Sequence, residues 1–520
     1  MTKHYQFVLI GSGVAATTLA KRLLENDSRA SILMVEAGPK VPRMDRRAWW
    51  DYVVSDRKPY DYCRDVKGEN TTIGDISWGF FDSRIMAYGG STAHWGGWCL
   101  RYKPEDFYLK TNTGEGGDWP LTYKELEPYY VQAEQYLSVC GDVNESWNKV
   151  RANQPYPLPC FGWTAADGVM IEAFDKVGIE AGKMPIARYR RCMTTGTCKY
   201  CPLGSRFTAQ TVLEELTDNE RYDNFDQRCR SPVMKLVAGT KDTIDAIEVL
   251  NTATGETELI RAEKFIVCAG TYESPKLLRR SESSLWEHGI GNDHDLVGRF
   301  IVSHSFLSVT GRFPTNPDHW LQEFDFPTLM SRTYDTEKEQ QDGKVFLFKN
   351  RALPNVDIAA QMIEGKSRGE IDATLSGPMD FQLQAFYEEK GQYRNRLSPK
   401  PGTNRFGLPL TEIRYLRSPR FVEQATTRLT LLKGVIDAMG CPIVEGPGWD
   451  DPGGHHATST CRMGETPEDG VTDANMLVFG TKNLYVCSNA AFPSCTAVNP
   501  TLTLTAMTMR LADHLISEGP

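Results

Sequence analysis

The 520-residue chain has no run of apolar residues long enough to span a bilayer, and Met1-Thr2-Lys3-His4 leads straight into a strand-like segment instead of a cleavable leader. These absences favour the cytoplasm. A chain exported while bound to a leader-bearing partner would read the same way and would be periplasmic. It also lacks blocks of like charge: 58 basic and 67 acidic residues are interspersed, for a net charge of −9, which argues against nucleic acid as a partner. Thirteen cysteines, an odd number in a long chain, do not form a disulfide framework and read mostly as reduced core residues. Internal repeats and low-complexity linkers are missing as well. What remains is a mildly acidic protein of 58.4 kDa, too long for one simple core, so two domains are expected.

The first of these announces itself early. Tyr5 to Ile10 reads as a buried parallel strand, Gly11-Ser12-Gly13-Val14-Ala15-Ala16 as a tight turn, and Thr17 to Glu25 as a helix. A second strand, Ser31 to Val35, ends at Glu36-Ala37-Gly38. Gly11, Gly13 and Ala16 let the backbone approach a pyrophosphate at the helix N-terminus. Glu36 can accept hydrogen bonds from an unphosphorylated ribose, which favours FAD or NAD over NADP.

From Pro39 to Ser77 no period is visible, and a long surface excursion is expected. Gly89-Gly90-Ser91-Thr92-Ala93-His94-Trp95 is a glycine-rich loop suited to lie against a flat cofactor. Thr122 to Glu127 reads as a short helical turn, with Pro128 opening a longer helix through Val139. Phe265 to Gly270 is another buried strand, followed by a helix start that carries Ser274 and Pro275 in its first turn. Between Val302 and Val444 apolar and polar residues alternate, as in Leu307-Ser308-Val309-Thr310 and Phe381-Gln382-Leu383-Gln384, and an antiparallel sheet is expected.

Gly453-Gly454-His455-His456 and Ala497-Val498-Asn499-Pro500-Thr501 then place imidazole and carboxamide in two separate loops. Such a pair can take a proton from an alcohol and hold the resulting oxygen.

Taken together, Gly11 to Ala16, Glu36, Gly89-Gly90, Ala269 to Leu278, His456, Asp473-Ala474-Asn475, Asn483 to Val486 and Asn499-Pro500-Thr501 make the chain resemble the glucose-methanol-choline (GMC) oxidoreductases over nearly its whole length. The resemblance implies an α/β fold: a discontinuous Rossmann-like FAD-binding domain (1–110, 203–300 and 447–520) and an α+β substrate domain built on an antiparallel sheet (111–202 and 301–446, with a cysteine-bearing insertion). It implies His456 as the base, Asn499 as its partner, His455 as a substrate-lining neighbour, and Ser459 in a place the family fills with glycine. Ala269, Ser274, Asp473, Asn475, Pro500 and Thr501 are the further cofactor contacts it implies. His94 is read as a flavin contact more than as a covalent tether, because Ala93 interrupts the serine-threonine-histidine-tryptophan order of the pyranose oxidases.

Cys192, Cys198 and Cys201 are spaced C-x5-C-x2-C-P, a grouping that soft metals favour. The segment resembles the one that holds a three-iron (3Fe-4S) cluster in bacterial FAD-dependent glucose and fructose dehydrogenases. Two residues rather than three separate the last pair, and structural thiols, a disulfide or zinc remain open. The resemblance implies a sugar or glycoside dehydrogenase, glucoside 3-dehydrogenase-like, with a small subunit and a cytochrome acceptor as partners. An oxygen-using sugar or aminoglycoside oxidase and a non-catalytic electron-transfer subunit are the alternatives. Asp357, Glu364 and Asp380 could bind sugar hydroxyls, although surface carboxylates are the plainer reading of each.

Overall fold

The computed structural model describes residues 4–76, 83–151, 154–189, 192, 197–316, 318, 320, 324, 326–352 and 358–518, with backbone alone at 148–150, 351, 352 and 359. Two sheets organise them. In the first, Phe225–Arg228, Ile32–Val35, Tyr5–Ile10, Thr257–Val267 and Leu484–Val486 run parallel in spatial order. All four residues of Ile32–Val35 are buried, as parallel strands covered on both faces require. The 11-residue strand Thr257–Val267 changes partners along its length: its first half pairs antiparallel with Thr243–Leu250, its second half parallel with Tyr5–Ile10.

The helix after the glycine turn, Val14–Asn26, packs its small and apolar face (Ala16, Leu19, Ala20, Leu23) against this sheet and against the last helix, Thr501–Glu518.

The second sheet is antiparallel, in the order Ile443–Asp450, Ser305–Phe313, Met379–Tyr387, Val345–Ala352, Leu329–Ser331 and Gly182–Lys183. Alternation along its strands separates two environments. Phe381, Leu383 and Ala385 share a core with Leu307, Val345 and Leu347 beneath the helix Phe421–Met439, which ends at Gly440 in the left-handed region (φ +73°). Phe346, Phe348 and Phe386 point the other way, into the core of the first sheet's helices.

Two expectations need correction. The stretch from Pro39, described as far as Ile76, lies largely at the surface but is not an irregular excursion: it holds the helix Arg46–Ser55, buries Val41, Tyr60 and Cys63, and supplies the strand Asn70–Gly74, which pairs in parallel with Pro409–Tyr415. That pairing spans over three hundred residues, so no local period betrays it. Pro128 does not open a new helix either. One helix, Tyr123–Tyr136, begins at a Thr122/Glu125 capping box and carries Pro128 within its second turn.

Candidate functional site

A cavity of about 1110 Å³ lies between the two sheets. At one end the first strand and helix present Gly11, Gly13 and Glu36. Gly11 sits at φ +108°, and a Cβ there would stand 2.6 Å from the Cys268 carbonyl oxygen. Gly90 faces it across the gap, where a Cβ would meet the Gly13 Cα at 2.9 Å. The helix that follows has no side-chain cap and no acid in its first turn, so its N–H groups stay available to an anion.

Glu36 is buried. Its carboxylate accepts from Ser12 Oγ at 2.6 Å, Ser12 N at 3.1 Å and Gly38 N at 2.8 Å, so it orders the glycine loop as well as facing the cavity. Burial outweighs those bonds and raises its pKa. This cradle fits the adenosine and pyrophosphate of the flavin that the resemblance implies. Gly13 has an ordinary φ of −69° and only open space where a Cβ would stand, so Gly13→Ala is expected to fold but to be isolated with most of its flavin missing, read as the flavin-to-protein absorbance ratio; full occupancy would disprove the close-approach argument.

At the other end Gly453 to Thr458 carries the two histidines and is held from three sides. Ser303 Oγ donates to the Gly453 carbonyl at 2.8 Å, Tyr272 Oη to that of Gly454 at 2.8 Å, and Thr458 N to Val302 O at 2.8 Å. His456 faces Asn499, with Asn499 Nδ2 3.1 Å from His456 Nε2. Burial holds the His456 pKa well below the ordinary histidine value, and His304 and His455 add to the depression, so its imidazole is neutral at neutral pH. Behind it, His304 Nε2 lies 2.6 Å from His456 Nδ1. Nothing in the sequence singled out His304, which precedes a strand and meets its partner 152 positions away.

Trp98 Nε1, Asn489 Oδ1 and Asn499 Oδ1 line the cavity, are buried, and have no hydrogen-bond partner among the described residues. Polar atoms left this way cost about 1–3 kcal/mol each.

His455, His94, Ala269 and Thr501 also line the cavity. His94 ends the short turn Gly90–Ala93, its ring 6.3 Å from that of His455. Ala16, Gly89, Ser274 and Pro500 stand a layer behind: Gly89 N donates to Ser12 Oγ at 3.0 Å, and Ser274 Oγ to Gly270 O at 2.6 Å.

Asp473 and Asn475 are not in the cavity wall. Asp473 Oδ1 accepts from Asn475 N at 2.8 Å and Leu477 N at 2.9 Å, closing a turn. Asp380 is taken by Arg312, Glu364 sits near Lys366, and neither reaches the cavity; Asp357 lies outside the described residues.

Ser459 explains the family's glycine. It is fully buried with φ +78°, a conformation that costs a non-glycine residue roughly 1–2 kcal/mol.

The three cysteines are not gathered as a metal set. Among the described residues no group of three histidine, cysteine or acidic side chains is placed to hold a metal. Cys198 is buried beside Ile186, Cys140 and Phe326, whereas Cys192 and Cys201 are half-buried. Burial would raise the Cys201 pKa, but the Ser205 and Leu203 N–H groups and Arg188 outweigh it and lower the pKa. No helix among the described residues is long and apolar enough to cross a membrane.

Comparison with known proteins agrees with this geometry. The fructose dehydrogenase large subunit of Gluconobacter japonicus is 26% identical, covering 98% of this chain and 97% of its own. Paromamine 6'-oxidase of Streptomyces fradiae is 24% identical over 98% of this chain and 90% of its own, and C-glycoside 3-oxidase of Microbacterium trichothecenolyticum 23% over 98% and 96%. A crystal structure of pyridoxine 4-oxidase from Mesorbium loti superposes with a TM-score of 0.68 at 18% identity, covering 99% of both chains. The N- and C-terminal family models described as GMC oxidoreductase match residues 6–305 and 392–508. The chain belongs to the GMC oxidoreductases, FAD-dependent enzymes of alcohol and sugar oxidation.

Proposed function

We propose that this chain oxidises a secondary hydroxyl of a sugar or glycoside to a ketone, in the manner of a glucoside 3-dehydrogenase. FAD, when bound, supplies the hydride acceptor. The observation that carries the reading is the wall formed by His456 and Asn499, with 3.1 Å between Nδ2 and Nε2. A hydroxyl seated beside both, within reach of each nitrogen, gives its proton to neutral His456 Nε2 and accepts a hydrogen bond from Asn499 Nδ2, which holds the carbinol carbon in place.

The substrate class draws support from the cavity wall. Aromatic side chains at Trp95, Trp98, Phe306 and Phe386 are interspersed with the amide of Asn350, a combination that suits the apolar face and hydroxyl edge of a sugar ring. The sugar- and glycoside-named relatives point the same way.

The dehydrogenase form, with electrons leaving for a small subunit and cytochrome, rests on the Cys192/Cys198/Cys201 motif and the fructose dehydrogenase relative. No step is placed on a cluster, because the described thiols do not converge.

A panel of glycosides, tested by anaerobic flavin bleaching and followed by product analysis, tests the function. A 3-keto glycoside is expected, with ferricyanide or quinone dye reduced faster than peroxide is formed. A bleaching response confined to non-sugar alcohols would remove the substrate class. Iron and acid-labile sulfide in anaerobically purified protein test the cluster, and their absence removes it.

A further inference from the structure

His304 is fully buried and does not itself line the cavity, standing behind the wall residues His456 and Phe386. Its ring is stacked on Phe386, with centroids 4.0 Å apart and planes 13° from parallel, and it meets His456 edge-on at 4.6 Å. Nδ1 lies 3.3 Å from the Thr496 carbonyl oxygen and Nε2 2.6 Å from His456 Nδ1.

These contacts determine where the protons sit. A carbonyl oxygen only accepts, so His304 Nδ1 carries the hydrogen. Burial pushes the His304 pKa down to about 3, so the ring is neutral and Nε2 is bare. Bare Nε2 accepts from His456 Nδ1, which must then carry its own hydrogen. With His456 also neutral, its lone pair is left on Nε2, the nitrogen that faces Asn499 and the cavity.

We propose that His304 is a positioning residue that fixes the Nδ1–H tautomer of His456 and so creates the base at Nε2. The proposal rests on the reading of His456 as the base. Without His304 either nitrogen of His456 could hold the proton, and the ring could turn; in the wrong tautomer an N–H would face the substrate hydroxyl.

The anchor continues inward. Thr496 Oγ1 donates to Asp106 Oδ1 at 3.0 Å, and Asp106 is paired with Lys344 at 2.5 Å, so the carbonyl that orients His304 is itself held by a buried ion pair. The titratable groups around His304 are His455 and His456 on the base loop, Cys495 beside Thr496, and Glu389, which accepts from Ser305 at 2.6 Å. When His456 takes the substrate proton it becomes an imidazolium whose Nδ1–H remains on His304 Nε2. The transferred proton goes to Nε2 and no other proton moves.

Two substitutions and one measurement on the unaltered protein test this. His304→Phe keeps the stack on Phe386 but removes the acceptor; His304→Gln keeps an acceptor oxygen. With methyl β-glucoside as probe, anaerobic flavin reduction in His304→Phe is expected to slow by roughly 100-fold or more at unchanged flavin content, with His304→Gln recovering most of the rate. Equal rates in His304→Phe and the parent, or equal slowing in both variants, would overturn the proposal. The 15N shifts of the His456 ring in the holoenzyme, assigned by their loss in His456→Ala, need no substrate and leave His304 unaltered. A protonated Nδ1 and bare Nε2 are expected, and the opposite tautomer sinks the idea. If His456→Ala reduces flavin at the parental rate, the base assignment itself has failed; if His456→Ala is inert while His304→Phe is fast, only the positioning role has.

Discussion

His456→Ala should yield a protein that keeps its FAD and its fold but is reduced by glycosides about 100- to 10,000-fold more slowly, the usual worth of a positioned general base. Flavin retention follows because the adenosine and pyrophosphate cradle, Gly11 to Glu36, is at the other end of the cavity and makes no use of the imidazole. The comparison is made by anaerobic stopped-flow, which isolates the hydride step from whatever acceptor follows. Its pH dependence adds a second check. A histidine whose pKa is lowered by burial stays deprotonated as pH falls past the ordinary histidine value near 6.5, so the parental rate should hold through that pH and decline only below it. The decline should vanish from the residual rate of the variant. Parental bleaching in His456→Ala would transfer the base to another group.

The second large effect concerns stability. Lys344 is fully buried between Asp106 at 2.5 Å and Asp335 at 2.8 Å, with Glu105 at 3.6 Å. Burial alone would lower its pKa, but the carboxylates hold the ammonium well above the usual lysine range. Lys344→Met keeps the volume and strands the two aspartates; Arg332 still pairs with Asp335, so Asp106 bears most of the loss. Breaking a buried pair in this way costs about 3–5 kcal/mol. Denaturant unfolding should show that loss at pH 7.

A deficit below 1 kcal/mol would mean that the pair is not carrying this charge. Glu388, buried nearby and raised to about 8 by burial, shows that the same cluster already keeps one carboxyl protonated at neutral pH.

What the sequence disclosed divides by range of interaction. The glycine turn, Glu36 and the His456 loop were legible because each is a contiguous string whose geometry follows from its own residues. Asn499 was legible through its proline-marked loop. His304 was not: its Val302-Ser303-His304-Ser305 surroundings look like any strand start, and its meaning comes from a ring 152 positions away and a carbonyl 192 positions away. The Asn70–Gly74 strand was hidden for the same reason, since only its pairing with Pro409–Tyr415 makes it a strand.

Asp473 and Asn475 sit in a recognisable string but outside the cavity wall, and Asp473 Oδ1 accepts from the Asn475 and Leu477 N–H groups of a local turn. Ser459 is the instructive intermediate, where the family's glycine marks a left-handed backbone that this chain adopts with a side chain present.

The proposed base, its carboxamide partner and the histidine proposed to orient it come from three places in the chain: after the second sheet's last strand, at the head of the final helix, and just before the Ser305–Phe313 strand. No fragment that forms only the first sheet contains any of the bonds that join them. Competence for catalysis is thus a property of the two sheets packed together, since none of the three groups reaches the others within its own stretch of chain.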